Sequence, residues 1–190
     1  MQATLNPTLP LPYGTPLPWP EPEPRQRSDS PRAPLQVAMG QLKIGTRTEQ
    51  LQALLGSCVG IGFIWKKRGI CGLAHCLLPE CPQMEDEFGA RYVNQAVPSL
   101  LRLIGATPAD YADIEVILAG GATMLNVCSS RLQIGQQNAD AARKHLRKRG
   151  LNVSYCRIGG KCGRTINIDC ASMTCSVQEI IATCAENTHA

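Results

Sequence analysis

The stretch Leu54 to Pro79, LLGSCVGIGFIWKKRGICGLAHCLLP, constrains the fold more than any other part of the chain. Val59 to Trp65 and Ile70 to Leu77 are apolar runs of strand length, and the polar Lys66-Lys67-Arg68-Gly69 between them ends in glycine, as turns often do. A turn symmetric about Lys67 and Arg68 predicts one register, with Trp65 opposite Ile70 and Gly60 opposite His75. Side chains alternate between the faces of a strand. One face therefore carries Val59, Ile61, Phe63 and Trp65 with Ile70, Gly72, Ala74 and Cys76, and its apolar character makes it core. The other carries Cys58, Gly60, Gly62 and Ile64 with Cys71, Leu73, His75 and Leu77. In this register Cys58 and His75 are diagonal neighbours, about 7–8 Å apart at the backbone. A slip of one residue would send them to opposite faces.

A thiol is mostly protonated at neutral pH, and a neighbouring imidazole can take its proton to make a thiolate nucleophile. Gly56 and Ser57 ahead of Cys58 are small, which leaves backbone N–H groups free to face a developing oxyanion. Gly60 and Gly62 strip side chains from the surface beside the pair, which suggests room for another chain to approach. These are the parts for acyl transfer from an amide or ester. The plainer alternative is a buried cysteine and a satisfied histidine, since free cysteines are commonly buried.

The hairpin sits in a chain that divides once. Ten of the fourteen prolines lie between Pro7 and Pro34. Each removes a backbone donor and pushes its predecessor toward extended geometry, so residues 1–34 are expected to be a disordered, polyproline-like tail. Residues 35–190 read as one domain without internal repeats. A strand is expected from Gln36 to Ile44, and a lead-in strand from Leu51 to Leu55. A helix follows from about Tyr92 to Ile104, with Val93, Ala96, Val97, Leu100, Leu101 and Ile104 inward and Gly105 as its stop. Ile114 to Leu118 is a short buried strand, and Gln136 to Arg149 a helix with Ala139, Ala142 and Leu146 inward. Strands from Val153 to Arg157, Thr165 to Cys170 and Ser176 to Ile181 complete the list. The expected fold is an α/β single-domain sandwich with a mixed, largely antiparallel sheet flanked by helices.

Several function classes recede. No run of 18 apolar residues is present, so membrane insertion by a helix is not expected. The N-terminus shows no basic flank followed by an apolar stretch, so the ten cysteines are read as free thiols in a reducing cytoplasm. Cys71, His75, Cys76 and Cys81 cluster in sequence, yet no C-x-x-C pair occurs, which leaves a zinc-stabilised interaction domain as the weakest reading. Arg143, Lys144, Arg147, Lys148 and Arg149 make a basic helix around His145, read as an exposed run. No aromatic residues accompany it, so nucleic acid is not an expected partner.

The residues around the candidate pair resemble a known family. The segment LGSCVGIGF, with His75 in GLAHCLLP seventeen residues after Cys58, is similar to the CheD chemoreceptor glutamine deamidases. AGGATML at Ala119 to Leu125, IGQQN at Ile134 to Asn138 and IGGKCGR at Ile158 to Arg164 match the family's GGA-type, IG-x-x-N and GG-x-x-GR segments in order. The resemblance covers roughly Leu35 to Gln178 and leaves the tail without a counterpart. It implies a cysteine hydrolase, with Cys58 as nucleophile and His75 as base, that converts glutamines of methyl-accepting chemotaxis receptors to glutamates. No cofactor and no metal is implied, a CheC-type phosphatase is an implied partner, and receptor glutamyl methyl esters are a related substrate. The family also uses a threonine a few residues before the cysteine. Here that place is taken by Gln52-Ala53-Leu54-Leu55, so the imidazole's orienting partner is open. A catalytically weakened module that binds receptors or the phosphatase is the second reading.

Overall fold

The structure, a computed structural model, describes residues 33–84, 87–123 and 133–180. The proline-rich segment up to residue 32, part of the AGGATML motif and His189 lie outside the described residues. Nine strands are described: β1 (Leu35–Gln36), β2 (Leu42–Thr46), β3 (Gln50–Leu55), β4 (Val59–Trp65), β5 (Ile70–Cys76), β6 (Glu115–Gly120), β7 (Val153–Ile158), β8 (Arg164–Asp169) and β9 (Thr174–Glu179). Two α-helices accompany them, α1 (Val93–Ile104) and α2 (Ile134–Lys148). No helix among the described residues is long and apolar enough to cross a membrane.

The expected α/β sandwich is present, and its strands divide between two sheets. One has the order β2-β5-β4-β6-β7, the other β1-β3-β8-β9. Only β6–β7 and β1–β3 pair in parallel. The five-stranded sheet is the middle layer. Its Val59, Ile61, Phe63, Val116 and Leu118 pack under the apolar stripes of α1 and α2. The opposite face, with Ile64, Cys71, Leu73, Ile117 and Ala119, packs on Leu51, Ala53, Leu55, Ile166 and Ile168 of the four-stranded sheet. Both faces of β4 are therefore buried, which explains why its sequence is an apolar run rather than an alternation.

The helices end as expected, with Gly105 and Gly150 in the left-handed region that favours glycine. Every inward residue named for α1 and α2 is buried. Pro98 lies inside α1, where it cannot donate to the carbonyl of Asn94. The expected strand Gln36 to Ile44 is broken. Leu35–Gln36 joins one sheet and Leu42–Thr46 the other, and a turn closed by Gln41 N–H on the Ala38 carbonyl, with Gly40 at φ +74°, carries the chain between them. The last strand begins two residues earlier than expected, at Thr174.

The glycines of β4 are not a vacant surface. A Cβ on Gly60 would lie 2.8 Å from Leu55 Cδ1, and one on Gly62 would lie 2.8 Å from Ile168 Cδ1. They are where the second sheet comes closest, so the expectation that another protein chain approaches there is corrected. The space is already filled by β3 and β8. Gly62→Ala forces a methyl against the fully buried Ile168, and overpacking of this kind costs about 1–3 kcal/mol. Urea unfolding of the variant is expected to show that loss, and an unchanged midpoint would mean that the sheets part freely.

Candidate active site

The β4–β5 hairpin has the register read from its sequence: Trp65 pairs with Ile70 and Gly60 with His75. Lys66 to Arg68 form one 3-10 turn, and Gly69 at φ +64° closes it by donating to the Lys66 carbonyl. The even loop keeps Cys58, which immediately precedes β4, on the same face as His75. Both lie in the layer between the sheets, 6% and 3% exposed.

The turn that interrupts the first expected strand wraps His75. The imidazole Nδ1 lies 3.0 Å from the Val37 carbonyl oxygen. A carbonyl only accepts, so Nδ1 carries the proton and the neutral ring's lone pair sits on Nε2. Nε2 is buried and has no hydrogen-bond partner among the described residues. The His75 backbone is tied to the same turn, its N–H donating to the Gln41 carbonyl and its carbonyl accepting from Gly40 N–H. Burial pushes the His75 pKa below the ordinary imidazole value, against the opposing pull of the Val37 carbonyl. Burial likewise pushes the Cys58 thiol up, against its own backbone N–H. Both shifts favour the neutral forms, a thiol and an imidazole whose lone pair is on Nε2.

The first two downstream motifs bond the backbone from Gly56 to Cys58, and the third buttresses the first. Gly121 N–H donates to the Cys58 carbonyl at 2.7 Å, and Ala122 N–H donates to the Gly56 carbonyl at 2.9 Å. Gly120 has φ +96°, and a Cβ there would collide with the Cys58 carbonyl oxygen. Gly135 lets α2 come down on this loop, because a Cβ there would be 2.5 Å from the Ala122 carbonyl oxygen. Asn138, fully buried, donates from Nδ2 to the carbonyls of Ser57 at 3.0 Å and Leu77 at 3.1 Å. From the third motif, Gly159 N–H donates to the Gly120 carbonyl, and the buried Arg164 guanidinium donates to the Gly159 carbonyl and pairs with Glu179.

Cys58 and His75 thus lie on neighbouring strand ends with no hydrogen bond between them among the described residues, and the contacts of Val37, Asn138 and Arg164 are ones that sequence reading missed. Asn138 and Arg164 stood inside quoted motifs, so the motifs were their signal. Val37 acts through its backbone, which a one-dimensional pattern does not display. Of the two places for the absent threonine, Ala53 is buried in the Cys58 layer, whereas Gln52 turns outward and hydrogen-bonds Asn167. Cys71 and Cys76 face opposite layers. Among the described residues no three His, Cys, Asp or Glu side chains are grouped to hold a metal ion. His145 is not in an exposed run. It is 4% exposed, and its Nε2 lies 2.9 Å from Glu80 Oε1, on which Lys144 Nζ also converges. The helix turns this polar residue inward beside Leu146, and Lys144 holds the Glu80 carboxyl below its usual range.

His75 is therefore expected to titrate below the ordinary imidazole range and to keep its proton on Nδ1 at neutral pH. Ring nitrogen and carbon NMR shifts followed through a pH titration check this. A His75 pKa at or above the ordinary value, or an Nε2–H tautomer, contradicts the assignment.

A family model described as CheD chemotactic sensory transduction matches residues 77–179. A probable chemoreceptor glutamine deamidase CheD of Bdellovibrio bacteriovorus is 37% identical over 134 residues, covering 70% of this chain and 86% of that protein. A probable chemoreceptor glutamine deamidase CheD 2 of a Ruegeria species is 37% identical over 165 residues, covering 77% and 92%. The protein of the same description from Methanococcus maripaludis is 37% identical over 134 residues, covering 70% and 87%. Among solved structures, the Bacillus licheniformis hypothetical protein YfiH overlaps with 63% of this chain and 49% of that one at 12% identity and a TM-score of 0.36. On the family model and these relatives, the chain belongs to the CheD family.

Proposed function

We propose that this chain deamidates glutamine side chains of chemotaxis receptors, with Cys58 as nucleophile and His75 as general base. The observation that carries the reading is the imidazole held through Nδ1 by the Val37 carbonyl, with Nε2 unpartnered and the ring on a strand residue paired with Gly60, two residues from Cys58. Nε2 takes the thiol proton as sulfur attacks the side-chain carbonyl carbon. The tetrahedral intermediate collapses to a thioester, and the imidazolium gives its proton to the departing ammonia. Nε2 then deprotonates water, which attacks the thioester, and the thiol leaves with the proton. The sum is glutamine plus water giving glutamate plus ammonia. No step calls for a cofactor.

A recessed thiol suits this substrate. A glutamine amide stands two methylenes out from its backbone and can reach into a recess at a cysteine residue that is 6% exposed, as a peptide bond within a folded chain does not. A receptor glutamyl methyl ester has the same reach and leaves as methanol by the same steps. A CheC-type phosphatase is proposed as binding partner on the family resemblance. The alternative, a weakened receptor-binding module, draws on Ala53 standing where a threonine is expected. Against it, the Val37 carbonyl already gives the imidazole an orienting partner.

Mass spectrometry of a receptor fragment incubated with the protein tests the reading. Cys58→Ala and Cys58→Ser are expected to abolish the glutamine-to-glutamate shift while leaving thermal unfolding in place, and His75→Asn to slow it by about 10²–10⁴-fold. Equal loss on changing Cys71 or Cys76 alone, in a folded protein, would count against Cys58.

Because Nδ1 is already held, Ala53→Thr is expected to change kcat by less than about threefold, set against the 10²–10³ that a vacant catalytic hydrogen bond is worth. A gain of that larger size would mean that the role is empty in the natural chain and would favour the weakened module.

A further inference from the structure

We propose that Asn138 is a positioning residue that holds Cys58 and His75 in reacting geometry by clasping β4 and β5 where their ladder stops. The inference rests on the deamidase reading for its consequence, and on geometry for its substance. The last paired residues of the hairpin are Val59 and Cys76, so Cys58 lies just outside the ladder. Beyond that point two strands normally splay. Asn138 Nδ2 reaches the Ser57 carbonyl on one side and the Leu77 carbonyl on the other, at 3.0 and 3.1 Å, and so adds one rung made by a side chain. Ser57 is next to the nucleophile, and Leu77 is two residues past the base.

This rung completes a set. The carbonyls of Gly56, Ser57 and Cys58 accept in turn from Ala122 N–H, Asn138 Nδ2 and Gly121 N–H. Two of those donors are backbone groups of the β6 end. The middle one is supplied across the layer by α2, which is seated there because Gly135, one helical turn earlier on the same face, lies against the Gly121 and Ala122 carbonyls. Few other side chains fit. A carboxamide nitrogen carries two donors at a fixed angle, matched to two acceptors. Aspartate has none and would set a negative charge against two carbonyl oxygens, and serine has one. Asn138 is fully buried while Ser57 and Leu77 are half-buried, so truncating it takes from both carbonyls the donor that the fold supplies.

The test compares Asn138→Ala and Asn138→Ser with the natural chain and with Arg143→Ala, an exposed control on the same helix. Folding is followed by thermal unfolding. Turnover is read on a receptor fragment, and the rate of Cys58 alkylation by iodoacetamide is read by peptide mass spectrometry at neutral pH, each with and without His75→Asn. A displacement of about an ångström commonly costs on the order of 10²-fold, so Asn138→Ala is expected to lower kcat by that factor with KM within about threefold. In the natural chain His75→Asn should slow alkylation at least about tenfold, and in the Asn138→Ala background less than about threefold, because the coupling of base and thiol has been lost. Arg143→Ala should match the natural chain throughout.

Undiminished coupling in a folded Asn138→Ala protein overturns the inference, and so does undiminished kcat. Unfolding of both variants at position 138 would make Asn138 a residue of the fold rather than of the site, and overturns it as well. A natural chain that shows no receptor turnover, yet loses His75 coupling on Asn138→Ala, overturns the deamidase reading and leaves Asn138 in its positioning role.

Discussion

Antiparallel pairing of β4 with β5, in the register that sets Gly60 opposite His75, is what every other part of the candidate site depends on. Period-two alternation then leaves no freedom: Cys58 and His75 share a face, and the same parity sends Val59, Phe63 and Trp65 to the helix layer. A bulge in either strand would exchange the two sets and bury the wrong side chains, at a cost the core does not permit. The neighbours on each edge reinforce the choice. Ile61 faces Leu118 on β6 and Ala74 on β5, and Ile44 faces Gly72. The shared face of Cys58 and His75 is thus a by-product of core packing.

The second constraint is closeness. The two sheets and α2 converge on a few backbone positions where a side chain would not fit, and most of the motifs that identify the family are these positions. Gly60 and Gly62 admit Leu55 and Ile168, Gly120 admits the Cys58 carbonyl, and Gly135 admits the Gly121 and Ala122 carbonyls. A pattern of glycines near a nucleophile suggests a groove for substrate. Here it marks the opposite, a tightly filled scaffold that fixes the backbone on either side of the thiol.

What was legible in the sequence follows from this. The hairpin, its register and both helices were readable because their signals are local: a polar turn ending in glycine, apolar spacing, and glycine stops. The split of residues 36–44 between two sheets was not, since a turn at Ala38 to Gln41 lacks proline and holds one glycine. His145 was read as exposed because five cationic residues, Arg143, Lys144, Arg147, Lys148 and Arg149, surround it in sequence. Helical periodicity places it beside the buried Ala141, Ala142 and Leu146, and Glu80, far away in sequence, supplies the partner that makes its burial tolerable. The division of strands into two layers needed tertiary information that alternation alone does not carry, because both faces of β4 are apolar.

In the proposed reading, the place of the absent threonine is taken through the backbone of the same segment. Gln52 and Ala53 bring no hydroxyl, but the Gln52 carbonyl accepts from Val37 N–H, and the Val37 carbonyl in turn accepts from His75 Nδ1. β1 is held parallel to β3 by Leu35 opposite Leu51 and Gln36 opposite Gln52, so the orienting oxygen is placed by sheet pairing and not by a rotamer. A backbone acceptor has no side-chain entropy to lose and no charge to desolvate. It also cannot stabilise an imidazolium as a carboxylate would. Burial outweighs the opposing pull of the Val37 carbonyl and keeps the His75 pKa below the ordinary imidazole value. On the proposed mechanism the site is a neutral pair whose charge appears only during reaction. Such a pair demands that the thiol and imidazole be well aligned beforehand, because no ion-pair attraction draws them together. That demand is why so many hydrogen bonds converge on the backbone of three residues, Gly56, Ser57 and Cys58.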